Sequence, residues 1–194
     1  MHARMSDRRK GAVDLLVRRR VPADLDACVR VLADVHDSDG YPTNWPADPA
    51  GWLTPSGLLG AWTAAADGDV VGHIALCAPG ADDVAPRMWG ARDGSPVRRT
   101  AVVSRLFVGP GARGRGIGAV LLDRVAGAAR ERGLWPVLDV VASDAGAVAL
   151  YERAGWELLG VGEQRWSARQ TVRVRCYAAP GAVPRVGSAG SGSE

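Results

Sequence analysis

Lysine is almost missing from this chain: of 194 residues only Lys10 is one, so the positive side of the charge balance is carried by arginine. A phosphate loop ending in Gly-Lys-Ser/Thr needs its lysine to reach a terminal phosphate, and that class of nucleotide site is excluded. Cysteine is scarce as well. Cys28, Cys77 and Cys176 are odd in number and far apart, which excludes a disulfide framework and gives no metal-ligand spacing. No apolar run is long enough to span a bilayer, and residues 1–10 lack the apolar stretch of a signal peptide. A reduced, cytoplasmic protein without membrane contact is therefore expected. Aromatics make up only 6% of the chain and the basic residues are scattered, so a net charge of +3 does not outline a nucleic-acid module.

What remains fits one domain, expected over residues 14–179, between a flexible extension (1–13) and a disordered Gly/Ser-rich tail (180–194). Asp14 to Val21 reads as a first strand, and Pro22 opens a helix with Leu25, Cys28, Val29, Leu32 and His36 on one face and Asp24, Asp26, Arg30 and Asp34 on the other. Turn chemistry follows from Asp37 to Pro49 with Tyr41 and Trp45 embedded in it, then a short helix around Trp52 and Leu53. Leu58–Ala65 and Val70–Cys77 flank Ala66-Asp67-Gly68-Asp69, a hairpin signal. Residues 79–99 show no period and read as a long mobile excursion towards the acceptor side. Strands are expected at 101–108, 137–141, 156–161 and 171–177, with a helix from Asp144 to Ala154 stopped by Gly155. The fold class is a mixed α/β sheet of about seven strands with helices on its faces.

One stretch organises the rest. Leu106-Phe107-Val108 runs into Gly109-Pro110-Gly111-Ala112-Arg113-Gly114-Arg115-Gly116-Ile117-Gly118, and then into a run where Ile117, Val120, Leu121, Val125 and Ala128 recur at helical spacing. A helix start has N–H groups without internal partners and a partial positive charge, so it can seat an anion. Gly114, Gly116 and Gly118 let the backbone approach a diphosphate, and Arg113 and Arg115 add charge. Gly109, Gly111 and Gly114 also match the dinucleotide pattern GxGxxG. That pattern belongs on a first strand and needs an acid ending the next one, whereas about half the chain precedes this loop and Asp139 lies mid-strand.

Arg113-x-x-Gly116-x-Gly118 after Leu106-Phe107-Val108 resembles the acyl-coenzyme A signature of the GNAT superfamily of N-acetyltransferases. The run from Asp144 through Ala147, Leu150, Tyr151 and Glu152 to Gly155 and Trp156 is similar to that family's N-x-x-A-x-x-L-Y-E-x-x-G-F segment. The resemblance implies the GNAT fold, with acetyl-CoA as co-substrate and transfer to a primary amine, on a small molecule or peptide, by direct attack in a ternary complex. It further implies that Leu106, Phe107 and Val108 pair with the pantetheine arm where two central strands part. The N–H groups from Arg113 to Gly118 would hold the diphosphate, Asp144 and Ala147 would line the cofactor wall, and Tyr151 would face the thiolate. Homodimers are common in the family.

Each candidate has a structural alternative. Tyr151 shares a helix face with Ala147, Leu150 and Ala154 and can serve as core; its phenol, ordinarily near pKa 10, suits proton donation to a thiolate of about 8.5. Asp144 stands where the family often has Asn and suits a helix cap. His36, Tyr41, Trp45 and His73 are candidate substrate-lining residues or else packing residues. Many family members carry a glutamate on the fourth strand as base, and Ala101–Val108 contains no acid. That leaves water, His36, His73, Asp139 or an amine that arrives neutral. It also keeps open a catalytically weak acyl-CoA-binding or regulatory domain, beside the dinucleotide-dependent oxidoreductase.

Overall fold

Asp67 and Gly68 both adopt positive φ, 52° and 94°, the pair of left-handed residues that a tight two-residue hairpin turn demands. They join β2 (Leu58–Ala66) to β3 (Asp69–Cys77), and β1 (Leu15–Arg19) pairs antiparallel with β2. The computed structural model describes residues 14–167 and 169–181; the expected extension over 1–13 and the tail from 182 lie outside them. After β4 (Thr100–Val108) come β5 (Trp135–Val141), β6 (Glu157–Arg165) and β7 (Thr171–Ala178). Together they form one seven-stranded sheet in the order β1-β2-β3-β4-β5-β7-β6. The expected strand count and mixed α/β class both hold.

Strand alternation assigns the helices to faces. Ala101, Val103, Leu138, Val140 and Tyr177 join one cluster with α4 (Ile117–Arg130) and α5 (Ala145–Arg153). Val102, Val137 and Cys176 turn the other way, against α3 (Val84–Asp93). On that second face Phe107 meets α1 (Leu25–Asp39), and α2 (Pro49–Trp52) closes the same end. Leu121, Leu122 and Val125 of α4 are completely or almost completely buried, each worth about 1.5–3 kcal/mol of apolar transfer.

Several expectations change. Val120 lies off the buried arc of α4 and is 45% exposed, because Leu122, Ala126 and Ala129 complete that arc instead. In α1 the fully buried residue near the end is Val35, with His36 half-buried beside it. Asp24 is not on a solvated face: it is buried and receives Arg18 Nη1 at 2.6 Å, Arg18 Nη2 at 2.7 Å and the Val21 N–H at 2.8 Å. The guanidinium holds its carboxyl below the usual carboxylate range.

The largest correction concerns residues 79–99. They carry α3 and a short 3-10 turn, Val97–Arg99, and they pack on β5, β6 and β7. The local start signal of this helix is missing because it is capped from elsewhere in the chain. Asp139 of β5 accepts the N–H groups of Val84 (3.1 Å) and Ala85 (2.7 Å), while its own N-cap residue, Asp83, makes no such bond. Gly160 and Gly162 of β6 leave the space filled by Met88 and Val84; a Cβ on Gly162 would lie 2.7 Å from Val84 Cγ1.

Candidate active site

Among the described residues β4 and β5 are the only parallel neighbours, and their pairing ends early. Thr100↔Trp135, Ala101↔Pro136 and Val102↔Val137 are in register, and beyond them the strands part. On its other edge β4 stays with β3, where Phe107 faces His73 and Val108 faces Gly72, with a bulge between His73 and Ala75. The main chain of Leu106, Phe107 and Val108 therefore has no strand on the β5 side, in line with the parting implied by the sequence resemblance.

β4 leads into the 3-10 turn Pro110–Ala112 and then to Gly116, which caps α4 in the left-handed region (φ 77°). Gly114 is also left-handed, at φ 75°, and around both glycines the space a Cβ would enter is empty. The N–H groups of Gly114, Arg115, Gly116, Ile117 and Gly118 find no acceptor among the described residues; the next donors, Ala119 and Val120, turn back onto the Gly116 carbonyl. Gly118 serves packing too, since a Cβ there would lie 3.1 Å from Leu150 of α5. The charges divide differently from expectation. The Arg113 guanidinium pairs with Asp39 at the end of α1, and its Nε donates to the Val108 carbonyl at 3.1 Å. It buttresses the loop, whereas Arg115 is exposed and makes no side-chain bond among the described residues. Gly109, needed by the dinucleotide pattern, donates its N–H to Val71 O at 2.8 Å and is occupied by the sheet.

Across the gap, Asp144 caps α5 through Ala147 N–H at 2.9 Å, which secures that helix start. Tyr151 is buried, with ring centroids 5.9 Å from Tyr177 and 6.1 Å from Trp156, and its hydroxyl makes no hydrogen bond among the described residues. Burial above all, then the fields of Tyr41 and Asp144, pushes its phenol above the ordinary tyrosine value. Tyr41, half-buried and edge-on to Trp52 at 6.2 Å, is pushed up to about 12 by burial, with Arg105 opposing.

His73 is wholly buried. Nε2 lies 3.1 Å from Arg20 Nη1, which can only donate, so Nε2 accepts and Nδ1 carries the proton that goes to Arg105 O at 3.0 Å. Burial, with both arginines adding to it, pushes the imidazole down to about 4. Both ring nitrogens are engaged and no part of the ring reaches solvent, so His73 supports the β4 bulge and presents nothing to a substrate. Asp139 is likewise committed to α3, with Cys176 Sγ also donating to it at 3.2 Å. His36 joins Pro42 O through Nδ1 at 2.9 Å and packs on Trp45 at 5.1 Å, pinning the loop over the end of α1. Trp45 stays 40% exposed, and neighbouring Asn44 reaches Gln170 in the β6–β7 turn at 3.1 Å.

Sequence reasoning missed Arg105, whose left-handed backbone (φ 53°) no local residue pattern announces. It also missed Gln170, which accepts from Asn44 of the loop after α1. Among the described residues no group of side chains is arranged to hold a metal ion, and no helix is long and apolar enough to cross a membrane.

The central sheet parts beside a donor-rich helix start, and that combination defines the class of the protein. The acetyltransferase (GNAT) family model matches residues 27–156, and the chain belongs to that family of acyltransferases. Similar solved structures include the ribosomal-protein-S18-alanine N-acetyltransferase from Escherichia coli, with 17% identity, 90% of this chain and 97% of that one covered, and a TM-score of 0.62. The ribosomal-protein-alanine N-acetyltransferase from Brucella melitensis shares 22% identity over 84% of this chain and 98% of its own, at 0.63. A putative acetyltransferase from Salmonella typhimurium, solved with its cofactor acetyl-CoA, shares 18% over 84% and 92%, at 0.59. Among curated proteins none matches the sequence.

Proposed function

We propose that the chain is an acetyl-CoA-dependent N-acetyltransferase that passes the acetyl group directly to a primary amine in a ternary complex. The observation that carries this reading is the row of unpartnered N–H groups from Gly114 to Gly118, set beside the β4 edge that β5 has left free. Five successive main-chain donors that include three glycines suit a diphosphate, and a free strand edge suits the amides of a pantetheine arm. Acetyl-CoA supplies the activated carbonyl.

The chain supplies orientation and the handling of one proton. An N–H near Val108 faces the developing oxyanion; loss of one such donor typically costs about 10²–10³ in rate. The amine nitrogen bonds the carbonyl carbon, the C–S bond breaks, and the Tyr151 hydroxyl protonates the departing sulfur. Its raised proton affinity is matched by that of a thiolate in the same dry surroundings. With His73 and Asp139 committed elsewhere and His36 tied to the Pro42 carbonyl under Trp45, the amine proton leaves to water, so kcat/KM climbs with pH towards the acceptor's own pKa.

The absence of an acid on β4 favours a second reading, a domain that binds acyl-CoA without turning it over. Thermal shift with acetyl-CoA, longer acyl-CoAs and NAD(P)H, followed by thiol release on an amine panel, separates the two. Stabilisation by acetyl-CoA with thiol release supports the transferase, stabilisation without release on any amine supports the binding domain, and stabilisation by NAD(P)H alone overturns both.

A further inference from the structure

Arg105 is placed where β4 has just left β5, and it is held there at a cost. Left-handed backbone on a non-glycine residue is unfavourable by roughly 1–2 kcal/mol. Four contacts fix the result: His73 Nδ1–H on its carbonyl, Nε on Trp52 O at 2.5 Å, Nη1 on Ser104 Oγ at 3.0 Å, and the guanidinium carbon 4.9 Å from the centre of the Trp52 ring. Nη1 also reaches Cys77 Sγ at 3.8 Å. Every one of these partners is neutral. No carboxylate among the described residues pairs with Arg105, nor with Arg20 behind it, and Nη2 has no acceptor.

The half-buried guanidinium lies over the Trp52 ring, and Tyr41 stands edge-on to the same ring at 6.2 Å, so the cation and the Tyr41 phenol are gathered around one indole. That cation stands beyond the point where β4 has left β5. A bare ammonium compound approaches it against repulsion; an amine carrying its own carboxylate cancels the repulsion and gains a charge-assisted contact with Nη2. We infer that the acceptor is an amine bearing a carboxylate, an amino acid or a compound of that type, with Arg105 as the residue that grips the carboxylate. This rests on the acetyltransferase reading and narrows its substrate class.

The test follows thiol release by the wild-type chain at saturating acetyl-CoA with the common L-amino acids and with their carboxamides. Acids should exceed the matching carboxamides at least tenfold in kcat/KM, mostly through KM. Acetate and propionate, which have no amine, should compete with the acceptor and not with acetyl-CoA. In Arg105→Gln the preference for acids should collapse towards one. Equal use of acids and carboxamides, release from carboxamides alone, or an acid preference surviving in Arg105→Gln overturns the assignment and leaves the transferase reading standing. Release with neither kind of amine overturns this assignment, and it overturns the transferase reading too when the wider amine panel also gives none.

Discussion

Acid should weaken this fold earlier than its carboxylates would dictate, and His73 is the reason. In the unfolded chain the imidazole titrates near 6.5; in the folded one it stays neutral down to about 4, because it is wholly buried between two arginines. Between those values the unfolded state takes up a proton that the folded state refuses, so stability is full above about pH 6.5 and falls as pH drops towards 4. At about 1.4 kcal/mol per tenfold in proton affinity, the whole window is worth about 3 kcal/mol. That is a large part of a typical total of about 5–15 kcal/mol, or roughly 6–12 °C in Tm for a domain of this size. Asp24 and Asp39, held low by Arg18 and Arg113, lose their contribution only below the ordinary carboxylate range, while Asp83, which burial raises, acts with the opposite sign, so the comparison with His73→Gln isolates the imidazole. Urea unfolding at pH 7, 6, 5 and 4.5 reads the slope, and His73→Gln should start less stable at pH 7 and fall more gently. A wild-type slope that is flat over this range, or one that persists unchanged in His73→Gln, refutes the buried neutral imidazole.

Tyr151→Phe removes a hydroxyl that makes no hydrogen bond among the described residues, so unfolding should shift by less than about 0.5 kcal/mol while kcat falls by about 10² or more with acetyl-CoA binding unchanged; unaltered kcat removes the proton-donor role. Asp139→Ala strips the cap from α3 and should cost about 1–3 kcal/mol in chemical denaturation, with faster amide exchange at Val84 and Ala85 and acetyl-CoA binding retained. Gly162→Val drives a side chain into Val84 and Met88 and should destabilise by about 1–3 kcal/mol in the same measurement. Gly116→Ala meets no neighbour, so only the left-handed backbone is strained; a loss of about 1–2 kcal/mol is expected, together with weaker acetyl-CoA binding by calorimetry.

The parts of the fold legible from sequence were those whose signals are local. Asp67-Gly68 specifies its turn by its own conformational needs, and the α4 stripe follows from a repeat within one segment. Helix α3 was illegible because what stabilises it lies on β5 and β6: Asp139 caps it and Gly160 and Gly162 make room for it. The site divides the same way. The glycines of the cradle stand in the sequence as a run, whereas Arg105 acquires its setting from Trp52 and His73, which two other elements, α2 and β3, bring to it. The pairing of Arg113 with Asp39 could not be read from a loop considered alone.

The early end of the β4–β5 pairing has a mechanical side. The panel β1–β4 and the panel β5–β7 share three rungs at one end of their seam, and α4 lies across both like a splint. A guest lodged in the open seam would act as mortar between them, so its binding should slow amide exchange along β4 and β5 together, well beyond the residues it touches.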